Sequence, residues 1–145
     1  MNKKIYNAID KPTELDKEKI VIFLNNHLEQ YGDDPAHIKK SIDYACKDIA
    51  SFGGFLIVLE ERGKIVGAAV VNFTGMSGYI PPNILVYIAV HAEYRGEGLG
   101  KMLMKQTLQH AKGDIALHVE KDNPARFLYE KMAFTNPYLE MRLKR

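Results

Sequence analysis

The apolar positions of this 145-residue chain change period several times, and each change marks an element. Lys3 to Ala8 has the look of a short first strand. From Asp16 to Tyr31 the apolar residues fall at helical spacing, with Ile20, Leu24, His27, Leu28 and Tyr31 on one face. Gly32-Asp33-Asp34-Pro35 stops that helix and opens another, with Asp34 as N-cap and Pro35 in the first turn. Ile38, Ile42, Ala45, Cys46 and Ile49 give the second helix its stripe, and Gly53-Gly54 ends it. Phe55–Leu59 and Ile65–Phe73 read as two strands of a hairpin turning through Glu61-Arg62-Gly63. Thr74 to Asn83, with two glycines and Pro81-Pro82, is a loop. Ile84 to Val90 is apolar without interruption, the mark of a central strand covered on both faces.

After a polar corner and the run Arg95-Gly96-Glu97-Gly98-Leu99-Gly100, helical spacing returns over Lys101 to Ala111 and closes at Gly113. Ile115 to Glu120 alternates, with Ala116, His118 and Glu120 on its polar side. Asn123 then caps a fourth helix whose stripe is Ala125, Leu128, Tyr129 and Met132. Tyr138 to Leu143 forms the last expected strand. The sum is a mixed α/β or α+β domain, one sheet covered by helices, spanning 1–145 without repeat or linker.

Composition narrows the classes of function. The length suits one domain with a real core. No stretch approaches the roughly 18–20 apolar residues of a membrane span, and Met1-Asn2-Lys3-Lys4-Ile5-Tyr6 lacks the apolar segment of a signal peptide. A net charge of +2 is too small to argue for nucleic acid. The lone Cys46 excludes an internal disulfide and fits a reducing cytoplasm. No histidine has the spacing or company of a metal site.

The glycine run carries the clearest chemical signal. A strand, a glycine-rich turn and a helix in that order aim several backbone N–H groups at the positive end of a helix, which is a cradle for an anion, most often phosphate. Its G-x-G-x-G spacing is neither the dinucleotide fingerprint nor a Walker A loop, and Met102 stands where the latter needs Ser or Thr.

These residues resemble the GCN5-related N-acetyltransferase (GNAT) superfamily. Its signature of Arg or Gln, two residues, Gly, one residue, then Gly or Ala is filled by Arg95, Gly98 and Gly100 behind Ile88-Ala89-Val90. A second segment, Asn123-Pro124-Ala125-Arg126-Phe127-Leu128-Tyr129-Glu130-Lys131 with Ala133-Phe134, is similar to the family's asparagine–alanine–tyrosine motif. The resemblance implies a mostly antiparallel sheet with helices on both faces and splayed fourth and fifth strands. It implies acetyl-CoA as acyl donor, with no metal. The pyrophosphate would lie on the N–H groups of Arg95, Gly96, Glu97, Gly98, Leu99, Gly100 and Lys101, Glu97 turning its side chain to solvent. The pantetheine would pair with main-chain groups of Ile88 and Val90, and Asn123 and Arg126 join the cofactor-binding set.

For the chemistry, the resemblance makes Tyr129 the acid that protonates the CoA sulfur, a role its phenol can fill because it keeps its proton to about pH 10. The family's glutamate early in the fourth strand is replaced by Ile84. His118 stands where other relatives carry a glutamate in the fifth strand. It is either a base acting directly or through water, or an ordinary exposed histidine. The acceptor, a primary amine of a small molecule or peptide, would meet Tyr31, Asp33, Asp34, Tyr79, Asn83, Tyr87 and the region of Tyr138 and Glu140. A non-catalytic acyl-CoA-binding module is the alternative, and a homodimer is compatible with the family's habits.

Overall fold

The structure, a computed structural model, describes residues 1–145. Five strands form one sheet in the order β1-β2-β3-β4-β5: β1 Asn2–Tyr6, β2 Gly54–Glu61, β3 Lys64–Phe73, β4 Asn83–Val90 and β5 Ile115–Leu117. The first four run antiparallel to their neighbours, and β5 is parallel to β4. Helices α1 (Glu14–His27) and α2 (Pro35–Ala45) cover one face. Helix α3 (Leu99–His110), with the short α4 (Ala125–Lys131), covers the other. This is the mixed, mostly antiparallel, doubly covered sheet that the sequence implies.

Each face has its own core. Leu56, Val58, Ala68, Val70, Tyr87 and Ala89 pack under Ile20, Phe23, Leu24, Ile38 and Ile42. Phe55, Ile57, Leu59, Val71 and Leu85 pack under Leu99, Leu103, Met104 and Tyr129. The β2–β3 turn is the tight one foreseen, with Arg62 and Gly63 both left-handed at φ 53° and 74°, as a two-residue hairpin requires.

Helix α1 begins earlier and ends earlier than its periodicity suggests. Thr13 and Asp16 form a capping box (Asp16 N–H to Thr13 Oγ1 3.0 Å, Thr13 N–H to Asp16 Oδ2 3.2 Å), which sets the start at Glu14. After His27 the chain makes a single 3₁₀ turn, Glu29–Tyr31, entered through Glu29 at φ 56°. Helix α2 has Asp34 in the N-cap position and Pro35 first, as expected. It stops at Ala45, before Gly53-Gly54, because Lys47 turns left-handed at φ 56°.

A buried ion cluster ties α1 to α2. Lys17, 4% exposed, places its ammonium 2.9 Å from Asp43, 2.5 Å from Asp48 and 3.2 Å from Glu14. Burial by itself would lower the Lys17 pKa, but hydrogen bonds from Asp48, Asp43 and Glu14 outweigh it and raise it. Burial likewise works to raise Asp43, and the ammonium groups of Lys39 and Lys17 overcome that and hold it low. Cys46 lies in the core beside this cluster, and burial pushes its thiol up to about 11, which makes it inert.

Two expectations are corrected. β5 ends at Leu117, so His118, Val119 and Glu120 lie past the strand and have no ladder partners. The segment Tyr138 to Leu143 is not a strand. Its alternation is genuine, yet Leu139, Met141 and Leu143 are 85%, 91% and 77% exposed, and no sheet edge pairs with it. Alternation makes a strand only where an unpaired edge and an apolar surface receive it.

Strand β4 contains a bulge the sequence did not announce. Tyr87 pairs with Val70 and Leu85 with Val71, leaving Val86 unpaired. Val86 and Tyr87 therefore point to the same face, whereas Leu85 and Ile88 point to the other.

Candidate active site

The seam between β4 and β5 is short. Asn83, Ile84 and Leu85 pair with Ile115, Ala116 and Leu117, where β5 ends, and the rest of β4 has no strand on this side, which leaves a gap. The His91 N–H donates to Val66 O at 2.8 Å, which fixes the alternation of β4 against β3. Ala89 opposite Ala68 is then a hydrogen-bonded pair, while Ile88 opposite Ala69 and Val90 opposite Gly67 are not. The N–H and C=O groups of Ile88 and Val90 therefore face away from β3, into the gap. An extended chain entering there would find the Ile88 N–H and C=O and the Val90 N–H without partners, the Val90 C=O accepting from Arg95 Nε at 3.3 Å.

At the end of β4 the glycine loop turns into α3. Gly96 and Gly98 are left-handed at φ 83° and 79°, and a Cβ at either would project into open space. Gly98 is the N-cap and offers no side chain, and the first turn of α3 holds no acidic residue. The Met102 N–H donates to Gly98 O at 3.1 Å, and the amides of residues 95–101 ahead of it have no acceptor in the protein. Seven donors at the positive end of a twelve-residue helix are thus without partners in the protein. Leu99 is buried and anchors the loop, whereas Glu97 and Lys101 are exposed without ion-pair partners. A Cβ on Gly100 would meet Leu128 at 3.5 Å and Val90 at 3.7 Å, so this glycine is where β4, α3 and α4 converge.

Arg95 does something its sequence position did not reveal. Its guanidinium turns back to α1, donating to His27 O at 2.7 Å and pairing with Glu29 at 2.9 Å, while Nε reaches Val90 O at 3.3 Å. The side chain therefore clamps the loop to the negative end of α1, and only its backbone N–H belongs to the cradle.

His27 joins the same corner. Its Nδ1 accepts from the Ala92 N–H at 3.2 Å, and its ring stacks between Phe23 and His91 at 4.7 and 4.2 Å. Burial first, then the neighbouring His91 and Arg95, holds its pKa below the usual value. The unfolded chain takes up this proton first as pH falls. The contribution of His27 is therefore fully present above about pH 6.5 and is lost as pH falls toward the lower folded value. His27→Gln should flatten the slope of melting temperature between pH 7 and 5, and an unchanged slope would show that this ring is not the titrating group.

Tyr129 is 8% exposed, packed in the second core with its ring 6.0 Å from Phe134. Its hydroxyl makes no hydrogen bond within the protein, and burial raises its pKa. Asn123 accepts from the Ala125 N–H at 2.9 Å and so caps α4 from one residue before its formal N-cap, Pro124. Arg126 is exposed, 3.2 Å from Glu130. His118 is exposed and forms no hydrogen bond.

On the α1/α2 side, the Tyr87 hydroxyl donates to Asp33 at 2.5 Å, and burial followed by this carboxylate raises the Tyr87 pKa. A cleft of about 470 Å³ lies beside this pair, with His37, Lys40, Tyr44 and Arg142 on its walls. The Tyr31 hydroxyl reaches Asp122 O at 3.3 Å, bridging the turn after α1 to the loop before α4. Three expected acceptor residues fall elsewhere in character. Asn83 is 1% exposed and spends its amide on the carbonyls of Lys112 and Asp114. Tyr79 and Tyr138 stand free in solvent. The side chains brought together are thus Asp33 and Tyr87 on one face and Tyr129 on the other, with the β4 edge between the two faces. No group of three or more His, Cys, Asp or Glu side chains is placed to hold a metal, and no helix is long and apolar enough to cross a membrane.

Comparison with known proteins gives the family and the fold. A family model described as the acetyltransferase (GNAT) family matches residues 18–134. The fold resembles a ribosomal-protein-alanine N-acetyltransferase from Brucella melitensis biovar Abortus 2308, with 15% identity, full coverage of both chains and a TM-score of 0.67. It also resembles an aminoglycoside antibiotic 6′-N-acetyltransferase from Acinetobacter haemolyticus, at 14% identity over 100% of this chain and 98% of that one, with a TM-score of 0.71. A further aminoglycoside N-acetyltransferase, solved in complex with CoA, gives 12% identity, 99% and 95% coverage and a TM-score of 0.69. With the family signature spanning both the glycine loop and α4, the chain belongs to the GNAT family of acetyltransferases.

Proposed function

We propose that the protein transfers an acetyl group from acetyl-CoA to a primary amine of a small molecule or peptide, by direct attack in a ternary complex. The observation that carries this reading is the run of free amides at residues 95–101, set beside the unpaired edge of β4. The loop amides receive the pyrophosphate, and the Val90 N–H and the Ile88 C=O receive the pantetheine amides as a further strand would. Asn123 and Arg126 approach the same ligand from α4.

The cationic acceptor first gives one proton to water, and the freed electron pair of its nitrogen attacks the thioester carbonyl, forming the C–N bond as the carbonyl oxygen becomes an oxyanion. The Ile88 N–H, which faces the gap farther from the loop than Val90, is the donor for that oxyanion. The oxyanion collapses, the C–S bond breaks, and the departing thiolate takes the Tyr129 hydroxyl proton. The ammonium formed on the acceptor loses its proton to water, with His118 at the open end of β5 as the group that passes it to solvent. Asp33, with Tyr87, provides the negative charge that draws a cationic amine to the α1/α2 side.

Calorimetric titration with acetyl-CoA tests the seat. Gly98→Val puts a β-branched residue at φ 79° and a side chain over the amides. The expected result is binding weakened by about tenfold or more, with about 1–3 kcal/mol of backbone strain. Wild-type protein that neither binds acetyl-CoA nor shifts its melting temperature with it would overturn the reading.

A further inference from the structure

The cleft beside Asp33 and Tyr87 is divided in charge. Its volume is about 470 Å³, and Val86 and Tyr87 of β4 line it together with His37 and Lys40 of α2. The bulge at Val86 brings two consecutive β4 side chains to it, and the next residue is Ile88. Asp33 is the one carboxylate on its wall, just ahead of α2, and accepts from the Tyr87 hydroxyl at 2.5 Å. His37 and Lys40 follow at i and i+3 of the helix, about 4.5 Å apart along the axis, and share a face. Lys40 has no carboxylate partner and makes no hydrogen bond, whereas its neighbour Lys39 is paired with Asp43. Arg142 reaches the same cleft from the C-terminal segment, paired with Glu140. Negative charge thus stands at the Asp33 end, and an unanswered positive charge stands at Lys40.

An amine that attacks beside Ile88 brings one positive charge, and Asp33 is its counter-charge. Whatever else the acceptor carries must occupy the rest of the cleft, beside Lys40 and His37. A second ammonium there would meet like charge, which works against binding. A carboxylate there would take a charge-assisted hydrogen bond from Lys40, and one free ammonium matches one singly charged group. We propose that the acceptor is an amine that also carries a carboxylate, an amino acid or a short peptide with a free carboxyl end, and that Lys40 selects it. Polycationic amines are disfavoured by the same lysine. This inference rests on the acetyl-transfer reading above and adds to it the chemical class of the acceptor.

The test is CoA release from acetyl-CoA with glycylglycine, with 4-aminobutanoate, with the primary amide of each, and with spermidine as a polycation. Wild type should show kcat/KM about tenfold higher for each acid than for its amide, as expected for one charge-assisted contact, and should use spermidine least. Added salt should narrow the difference. Lys40→Gln should bring each acid to the level of its amide, chiefly through KM, and Lys40→Arg should keep the preference. Lys19→Gln, the same loss of charge on the exposed surface of α1 and outside the cleft, should also keep it. Equal use of acids and amides by wild type, or a preference for spermidine, would overturn the inference while leaving acetyl transfer intact. So would a preference for acids that Lys40→Gln does not diminish. Absence of turnover with every amine, acid or amide, would overturn the acetyl-transfer reading itself, and the inference with it.

Discussion

Tyr129→Phe is expected to lower kcat about 100-fold at neutral pH while leaving the melting temperature where it was. The two halves of this expectation come from different observations. The hydroxyl has no hydrogen-bond partner in the protein, so removing it abandons no donor or acceptor. The ring itself, buried against Phe134, is kept. A loss of catalysis without loss of stability is therefore the signature of an acid, because a tyrosine present only for packing would be replaced by phenylalanine at no cost to either. The size follows from the usual worth of a positioned proton donor, about 10²–10⁴-fold. Burial holds the Tyr129 pKa above its ordinary value of about 10, so the acid form persists across the working range. The wild-type rate should show no alkaline limb from this group below about pH 10. An unaltered kcat in the variant, measured by CoA release across a panel of amines, would remove Tyr129 from the mechanism. Acetyl-CoA binding by wild type with no turnover of any amine would favour a non-catalytic acyl-CoA-binding module.

The largest effect on stability is expected at Lys17. Lys17→Met fills the same space with a similar stem, yet leaves Asp43 and Asp48, 13% and 27% exposed, without the ammonium they share. Breaking a buried pair from one side costs about 3–5 kcal/mol, which for a chain of this size is roughly 6–20 °C in melting temperature. Lys39 and Lys11 remain beside these carboxylates and place the cost at the lower end, about 3 kcal/mol. The pH dependence gives a further check. Asp43 and Asp48 both have folded pKa values below the ordinary 3.8, so their contribution is present above that pH and is lost as pH falls through the lower folded values. Lys17 has a raised folded pKa, so its contribution persists below 10.5 and is lost only above that. The difference between variant and wild type should thus be flat from about pH 5 to 9 and shrink below pH 4. A urea-denaturation difference under about 1 kcal/mol at pH 7 would mean that the cluster is solvated in solution.

Most of the architecture was legible because it follows from period and punctuation. The two-face pattern of Ile84 to Val90, the Arg62-Gly63 turn and the Pro35 helix start are local signals, and each element formed where those signals put it. The errors have a common cause. After the end of α1, Glu29 turns left-handed and its side chain meets Arg95, sixty-six residues away. The end of β5 is set by where β4 ceases to follow it. The Tyr138 segment pairs with neither edge strand, β1 nor β5. None of these is encoded at the residue concerned. The site divides similarly. The loop amides were pointed to by the glycine spacing and Tyr129 by the resemblance to the family motif, and both belong to the proposed site. The direction of the Arg95 side chain and the Asp33–Tyr87 bond were not legible, since both depend on tertiary neighbours. Asn83 was misjudged because a polar residue at the head of a strand looks exposed, whereas it satisfies two carbonyls between α3 and β5.

Val86 deserves to be seen as a parity switch. Along an uninterrupted β4 paired as it is at Asn83–Leu85, the even-numbered residues would turn their peptide groups toward β3 and the odd-numbered ones toward β5. Counting one residue without a partner exchanges odd for even from Tyr87 onward. Were Val86 paired in the ladder instead of bulged, Tyr87 and Ala89 would offer their peptide groups to the gap, and Ile88 and Val90 would be consumed in the ladder. The side chains would invert as well, sending Tyr87 away from Asp33. A single uncounted valine thus sets both which amides can greet a donor and which phenol can face an acceptor, and it does so without touching either.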